Sequence, residues 1–135
     1  MNLTEISQLL PNQTMGYLAT VDENNAADLR GWQLQRIEGG KIYFTTSASK
    51  NVWKQIQNNP QVAFFCTVNG YTFRVYGKAI HIVDKSVIQK VYDKSSEDIK
   101  SMYPTIDSNG YTVFCLEHGR VAYAKGFGQF ESLEF

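Results

Sequence analysis

An excess of charge of either sign is the first thing missing: thirteen basic side chains balance thirteen acidic ones, for a formal net charge of zero. Nucleic-acid binders normally carry a basic surplus or stripe, so that class of partner is not expected. Cysteine is scarce, with Cys66 and Cys115 far apart in sequence. Two such residues make neither a disulfide framework nor a zinc site. Histidine is limited to His81 and His118, neither with a partner at metal-ligand or acid–base spacing. No apolar run approaches the roughly 20 residues of a membrane-spanning helix, and even Val62–Cys66 is only strand-sized. The start, Met1-Asn2-Leu3-Thr4-Glu5, lacks the basic-then-apolar pattern of a secretory leader. These absences predict a cytoplasmic chain without a membrane or nucleic-acid partner.

What is present is a core. Hydrophobic residues make up 43% and aromatic ones 13% of 135 residues, enough to exclude intrinsic disorder. A chain this long buries roughly two-thirds of its unfolded surface as one domain, so residues 1–135 are read as a single domain. Leu3, Ile6, Leu9 and Leu10 recur at helical spacing behind an Asn2–Glu5 capping pair, and Pro11-Asn12 ends that helix. Extended segments follow: Met15 to Val21, Ala27 to Ile37, and Lys41 to Thr46 after the Gly39-Gly40 turn. Val52, Trp53 and Ile56 mark a short helix that stops at Asn58-Asn59-Pro60. Gln61 to Val68 and Tyr71 to Val83 form a hairpin about Asn69-Gly70, whose residues suit a type I′ turn. Asp84 caps another helix, Ser95 to Ser108 is a polar stretch with a short helix from Ser96, and Tyr111–Glu117 and Arg120–Lys125 close the pattern. Six or seven strands broken by short helices predict a mainly β fold, an antiparallel barrel with peripheral helices.

One segment concentrates chemistry. Tyr43-Phe44-Thr45-Thr46-Ser47-Ala48-Ser49-Lys50 ends a strand, supplies four hydroxyls, and opens a helix beside a lysine. Helix-start amides, small hydroxyls and an ammonium suit a phosphate, and each charge-assisted bond contributes about 1.5–3 kcal/mol. Ser47 or Ser49 capping the helix, with Lys50 in solvent, would account for the same residues. Arginine occurs only at positions 30, 36, 74 and 120, and Arg30 falls inside a strand beside Gly31, Trp32, Gln33 and Gln35. Its guanidinium can grip the same anion in bidentate fashion, or pair with Asp28 on a solvated face. Arg74 and Lys78 share a strand face around Gly77 and read as outward charges. No nucleophile elbow, phosphate loop or dinucleotide fingerprint is present, so no catalytic residue and no metal ligand are assigned.

In order, these pieces resemble the FMN-binding split-barrel family related to pyridoxamine 5′-phosphate oxidase. The resemblance runs from Gly16-Tyr17-Leu18-Ala19-Thr20-Val21-Asp22, through Arg30 and Gly40–Thr46 with Lys50, to Asn59-Pro60-Gln61-Val62-Ala63 and Arg74-Val75-Tyr76-Gly77-Lys78-Ala79. It implies a six-stranded antiparallel split barrel that forms a homodimer, with FMN at the subunit interface. By position, Arg30, Thr46, Ser47 and Lys50 would hold the phosphate and ribityl chain. Gly31, Trp32, Gln33, Tyr43, Phe44 and Thr45 would lie along the ring. The length and the closing Val121–Phe127 segment look closest to the small nitroimidazole-resistance members. Ala26-Ala27-Asp28 stands where the family has a proline, and Ser49 replaces an arginine of the oxidase's phosphate cluster. The oxidase's substrate-binding C-terminal segment has no counterpart, so pyridoxamine phosphate oxidation itself is not expected. The implied function is an FMN-dependent oxidoreductase reducing a small electrophile such as a nitroaromatic or quinone. A non-enzymatic flavin- or haem-binding barrel, a deazaflavin-using reductase and a cofactor-free interaction module are the alternatives.

Overall fold

The computed structural model describes residues 1–135. Helix α1 (Leu3–Leu9) starts with the expected capping box: Asn2 Oδ1 accepts the Glu5 amide at 2.9 Å, and Glu5 Oε1 accepts the Asn2 amide at 3.2 Å. Then come β1 (Met15–Val21), β2 (Ala27–Gln33), β3 (Arg36–Glu38), β4 (Lys41–Ser47), α2 (Asn51–Asn58), β5 (Gln61–Val68) and β6 (Tyr71–His81). Helices α3 (Lys85–Asp93) and α4 (Glu97–Met102) precede β7 (Tyr111–Leu116), β8 (Arg120–Lys125) and β9 (Glu131–Glu134). Asn69 and Gly70 both take positive φ, 53° and 77°, as a type I′ hairpin requires. Asp84 accepts the Ser86 amide and Ser96 the Ile99 amide, which fixes the starts of α3 and α4.

The sheet is antiparallel throughout, and its path runs β2-β1-β5-β6-β7-β4-β3. It is not closed by hydrogen bonds. Its two ends, β2 and β3, are instead consecutive in the chain, joined by Leu34-Gln35. The single strand read over Ala27 to Ile37 therefore breaks there: the Leu34 amide still donates to Thr14 O on the β1 side at 2.9 Å, while the Gln35 amide donates to Tyr43 O of β4, also at 2.9 Å. A second division lies on β6. Residues 71–76 pair with β8, and Ala79–His81 pair with β7. Gly77 sits at the divergence, where a Cβ would stand 3.4 Å from Leu116 Cβ. Strand β9 was not read in the sequence, because Glu-Ser-Leu-Glu is polar and only Leu133 is half-buried against the core.

Two cores result. Inside the barrel, Phe44, Phe64, Phe73 and Phe114 pack with Leu18, Leu34, Ile42, Val75 and Leu116, and the same core takes in Ile6 of α1, Leu10 just after it, and Trp53 and Ile56 of α2. Outside β4 and β7, α3 and α4 cover a second cluster of Tyr43, Val91, Tyr103, Tyr111, Val113 and Cys115. Strand β7 is thus buried on both faces, which explains the continuous apolar stretch Val113–Leu116 in place of an alternating pattern. Both cysteines are buried and unpaired. No helix is long and apolar enough to cross a membrane.

Candidate functional site

The break between β2 and β3 lies beside a cleft of about 230 Å³. Gly31, Trp32 and Gln33 come to it from β2, Gln35 from the connection, Thr45 and Thr46 from β4, and Lys50 from the start of α2. Met15 of β1 and Ile99, Met102 and Tyr103 at the end of α4 complete the wall. Of the residues singled out in the sequence, the structure brings Gly31, Trp32, Gln33, Thr45, Thr46 and Lys50 onto this one surface. The Trp32 indole is fixed by donating Nε1–H to Thr45 O at 3.1 Å, and Lys50 Nζ stands 5.2 Å from its ring centre. That distance is within cation–π range.

Helix α2 has no side-chain cap. Lys50 occupies the cap position in extended conformation, and neither Ser47 nor Ser49 bonds a first-turn amide. Ser47 Oγ is committed elsewhere, to Ser49 Oγ at 3.0 Å and to Asn109 O at 3.1 Å. The simple capping account of these serines therefore does not hold, and the first-turn donors of α2 keep no side-chain partner. Two polar atoms of cleft residues are also buried without any partner: Thr46 Oγ1 and Gln35 Oε1. Native structures rarely leave such groups unsatisfied, because each costs about 1–3 kcal/mol.

The remaining four candidates lie off the cleft wall. Phe44 is fully buried in the barrel core, and Tyr43 points the other way into the cluster under α3 and α4. Burial there pushes the Tyr43 hydroxyl pKa up. Ser47 is buried at the strand end. Arg30 turns to β1 and α2: its Nη1 donates to Thr20 Oγ1 of β1 at 2.7 Å and to Leu18 O at 3.2 Å. Its Nη2 donates to Asp28 Oδ2 at 3.0 Å and to Gln55 Oε1 at 3.2 Å. Gln55 Nε2 and the Leu29 amide donate to Asp28, and with the Arg30 charge beside it they hold its carboxyl below the usual carboxylate range. The pairing with Asp28 that the sequence left open is thus made, and it ties β1 and β2 to α2. Gln35 was noted in the sequence only as a neighbour of Arg30. Met15, Ile99, Met102 and Tyr103 were not read as site residues, and no local signal marks them.

His81 packs edge-on against Trp53, with ring centres 5.0 Å apart, and His118 occupies the β7–β8 turn at φ 59°. No imidazole lines the cleft. No group of three or more His, Cys, Asp or Glu side chains is arranged to hold a metal ion.

Among solved structures, a NimC/NimA family protein from Clostridium acetobutylicum superposes with a TM-score of 0.81 at 21% identity, covering 98% of this chain and 93% of that one. A pyridoxamine 5′-phosphate oxidase-related, FMN-binding protein from Nostoc punctiforme gives 0.68 at 14% identity, covering 90% and 87%. A haem-binding protein from Mycobacterium smegmatis gives 0.76 at 14% identity, covering 98% and 57%. At these identities the likeness is one of fold, and that fold is the mainly β split barrel. Among curated proteins nothing matches the chain. The sequence model of the pyridoxamine 5′-phosphate oxidase family matches residues 3–124, nearly the whole length, and the chain belongs to that family.

Proposed function

We propose that the chain is an FMN-binding flavoprotein and an oxidoreductase that reduces a small electrophile such as a nitroaromatic or a quinone. The observation that carries this reading is the cleft itself: two buried polar atoms without partners, Thr46 Oγ1 and Gln35 Oε1, beside an indole, an ammonium and an uncapped helix start. Those features fit the parts of FMN. Lys50 and the first turn of α2 would hold the phosphate, by full charge and by oriented amides. Trp32, fixed by its bond to Thr45 O, would lie along the ring, and Thr46 would supply a hydroxyl to a polar edge. When bound, the flavin supplies hydride or electron transfer, and the protein's part is placement, exclusion of water and tuning. That division of labour accords with a cleft whose lining has no carboxylate or imidazole.

The test is a visible spectrum of the purified chain, then titration with FMN. A structured flavin spectrum retained through dialysis is the expected result, and Lys50→Ala is expected to weaken FMN binding by about ten- to a hundredfold. Unchanged affinity in that variant removes Lys50 from the phosphate site. A Soret band in place of the flavin bands supports the haem-binding reading instead.

The same proposal includes a homodimer whose second chain closes the cleft, in the cytoplasm, where the free thiols of Cys66 and Cys115 remain reduced. Supporting it, Tyr17, Leu29 and Phe65 stand exposed on the outer face of β1, β2 and β5, around an apolar groove of about 200 Å³. Light scattering at micromolar concentration is expected to read twice the 15.3 kDa chain mass. A single-chain mass there overturns the dimer.

A further inference from the structure

Three glutamines beside the cleft form a relay whose direction is fixed. At one end is a backbone carbonyl, Gln13 O, which can only accept, so the group that meets it at 2.9 Å must be the Gln33 amide nitrogen, Nε2. Gln33 therefore turns its Oε1 toward Gln35. That oxygen also only accepts, so Gln35 must present its own Nε2, at 3.3 Å. One atom is left over: Gln35 Oε1, in a residue 3% exposed, with no partner in the protein. Exchanging oxygen and nitrogen at Gln35 would set two oxygens against each other, so the leftover group is an acceptor by necessity. The base of the relay is itself held. Gln13, in a left-handed conformation at φ 66°, donates its amide to Gln35 O at 3.2 Å and its side-chain Nε2 to Lys94 O at 2.9 Å.

We infer that Gln35 is the specificity-determining residue of the cleft, and that its Oε1 accepts from a ring N–H brought by the ligand. This rests on the flavin reading above and deepens it. The oxidised isoalloxazine carries one such donor, the imide N–H, flanked by carbonyls. Thr46 Oγ1, also buried and unpartnered on the same wall, can donate to a carbonyl of that kind. Acceptor and donor on one wall thus match the alternation of an imide edge. A porphyrin periphery has carboxylates and apolar substituents and no N–H donor, so it leaves Gln35 unsatisfied. Met15 and Met102, flexible thioethers on the same wall, let the cleft adapt as a flat ring enters.

The experiment is equilibrium titration of the wild-type chain and of Gln35→Leu with FMN and with FMN methylated at the imide nitrogen, N3. The wild type is expected to bind FMN at least tenfold more tightly than the methylated analogue, since the analogue lacks the donor. Gln35→Leu is expected to bind the two within about twofold of each other. Equal binding of both flavins by the wild type overturns the inference without any variant, and so does a preference for FMN that survives in Gln35→Leu. Failure of the wild type to bind either flavin overturns the flavin reading itself, and this inference with it.

Discussion

Phe44→Ala is expected to lower folding stability by about 3–5 kcal/mol, a large share of the 5–15 kcal/mol typical of a domain. Phe44 has no exposed surface and sits between Phe64 and Phe114, with ring centres at 5.3 Å and 5.4 Å. Phe114 in turn packs on Trp53 of α2 at 6.0 Å, so truncation opens a cavity between the barrel wall and the helix that carries Lys50 at its start. Aromatic contacts of this geometry add about 0.5–1.5 kcal/mol each beyond the burial term. Urea unfolding followed by tryptophan fluorescence measures the loss. The same variant, held where it remains folded, is expected to keep its affinity for FMN, because the side chain faces the barrel interior and not the cleft. A loss below about 1 kcal/mol, or a collapse of flavin binding in a folded variant, would return Phe44 to the cofactor-lining role implied by family resemblance.

Between about pH 7 and pH 9 stability is expected to hold, and above about pH 9 to fall steeply. Burial pushes the Cys66 thiol up to about 12, the Cys115 thiol to about 11 and the Tyr111 hydroxyl to about 12, from ordinary values of 9.0, 9.0 and 10.0. In the window between each ordinary and each raised value, the folded chain holds a proton that the unfolded chain has lost. The folded state therefore binds more protons, and stability declines as pH rises, by up to about 1.4 kcal/mol per pH unit for each proton retained. The thiols act from about pH 9 and Tyr111 joins from about pH 10. Lys41 works in the same direction, since the hydrogen bond and charge of Glu117, at 3.2 Å, favour its ammonium in the fold. Urea midpoints measured at pH 8, 9, 10 and 11 are expected to hold and then drop with increasing slope. A constant midpoint to pH 11 would mean that the thiols are not sealed, which rapid reaction with a thiol reagent at pH 8 would show independently.

What could be read from the sequence was local. The Asn2–Glu5 box, the Asn69-Gly70 turn, the Asp84 cap and the strand Arg120–Lys125 each depend on a few adjacent residues, and each formed where expected. The Leu34-Gln35 break was hidden because side-chain character runs on without a turn residue, and only the choice of hydrogen-bond partner changes. Tyr43 and Phe44 could not be separated by role, because β4 is buried on both faces and shows no alternation. Lys50, Thr46 and Trp32 were legible as candidates because a strand end, hydroxyls and a helix start fall together in the chain. Ile99, Met102 and Tyr103 were not, since the polar stretch around α4 reaches the cleft only through tertiary packing.

The Leu34-Gln35 junction also governs which changes of length the chain can absorb. A residue inserted into the Asp22–Ala26 turn lengthens a surface loop, at little entropic cost. A residue inserted at the junction has nowhere to go, because β2 is registered on β1 through Gly16↔Trp32 and β3 on β4 through Arg36↔Tyr43. One of those ladders would have to slip by a position, and a slip of one turns every side chain of that strand to its opposite face. The barrel's circumference is thus spelled by a dipeptide, and length variation within this fold belongs in its loops and not at its seam.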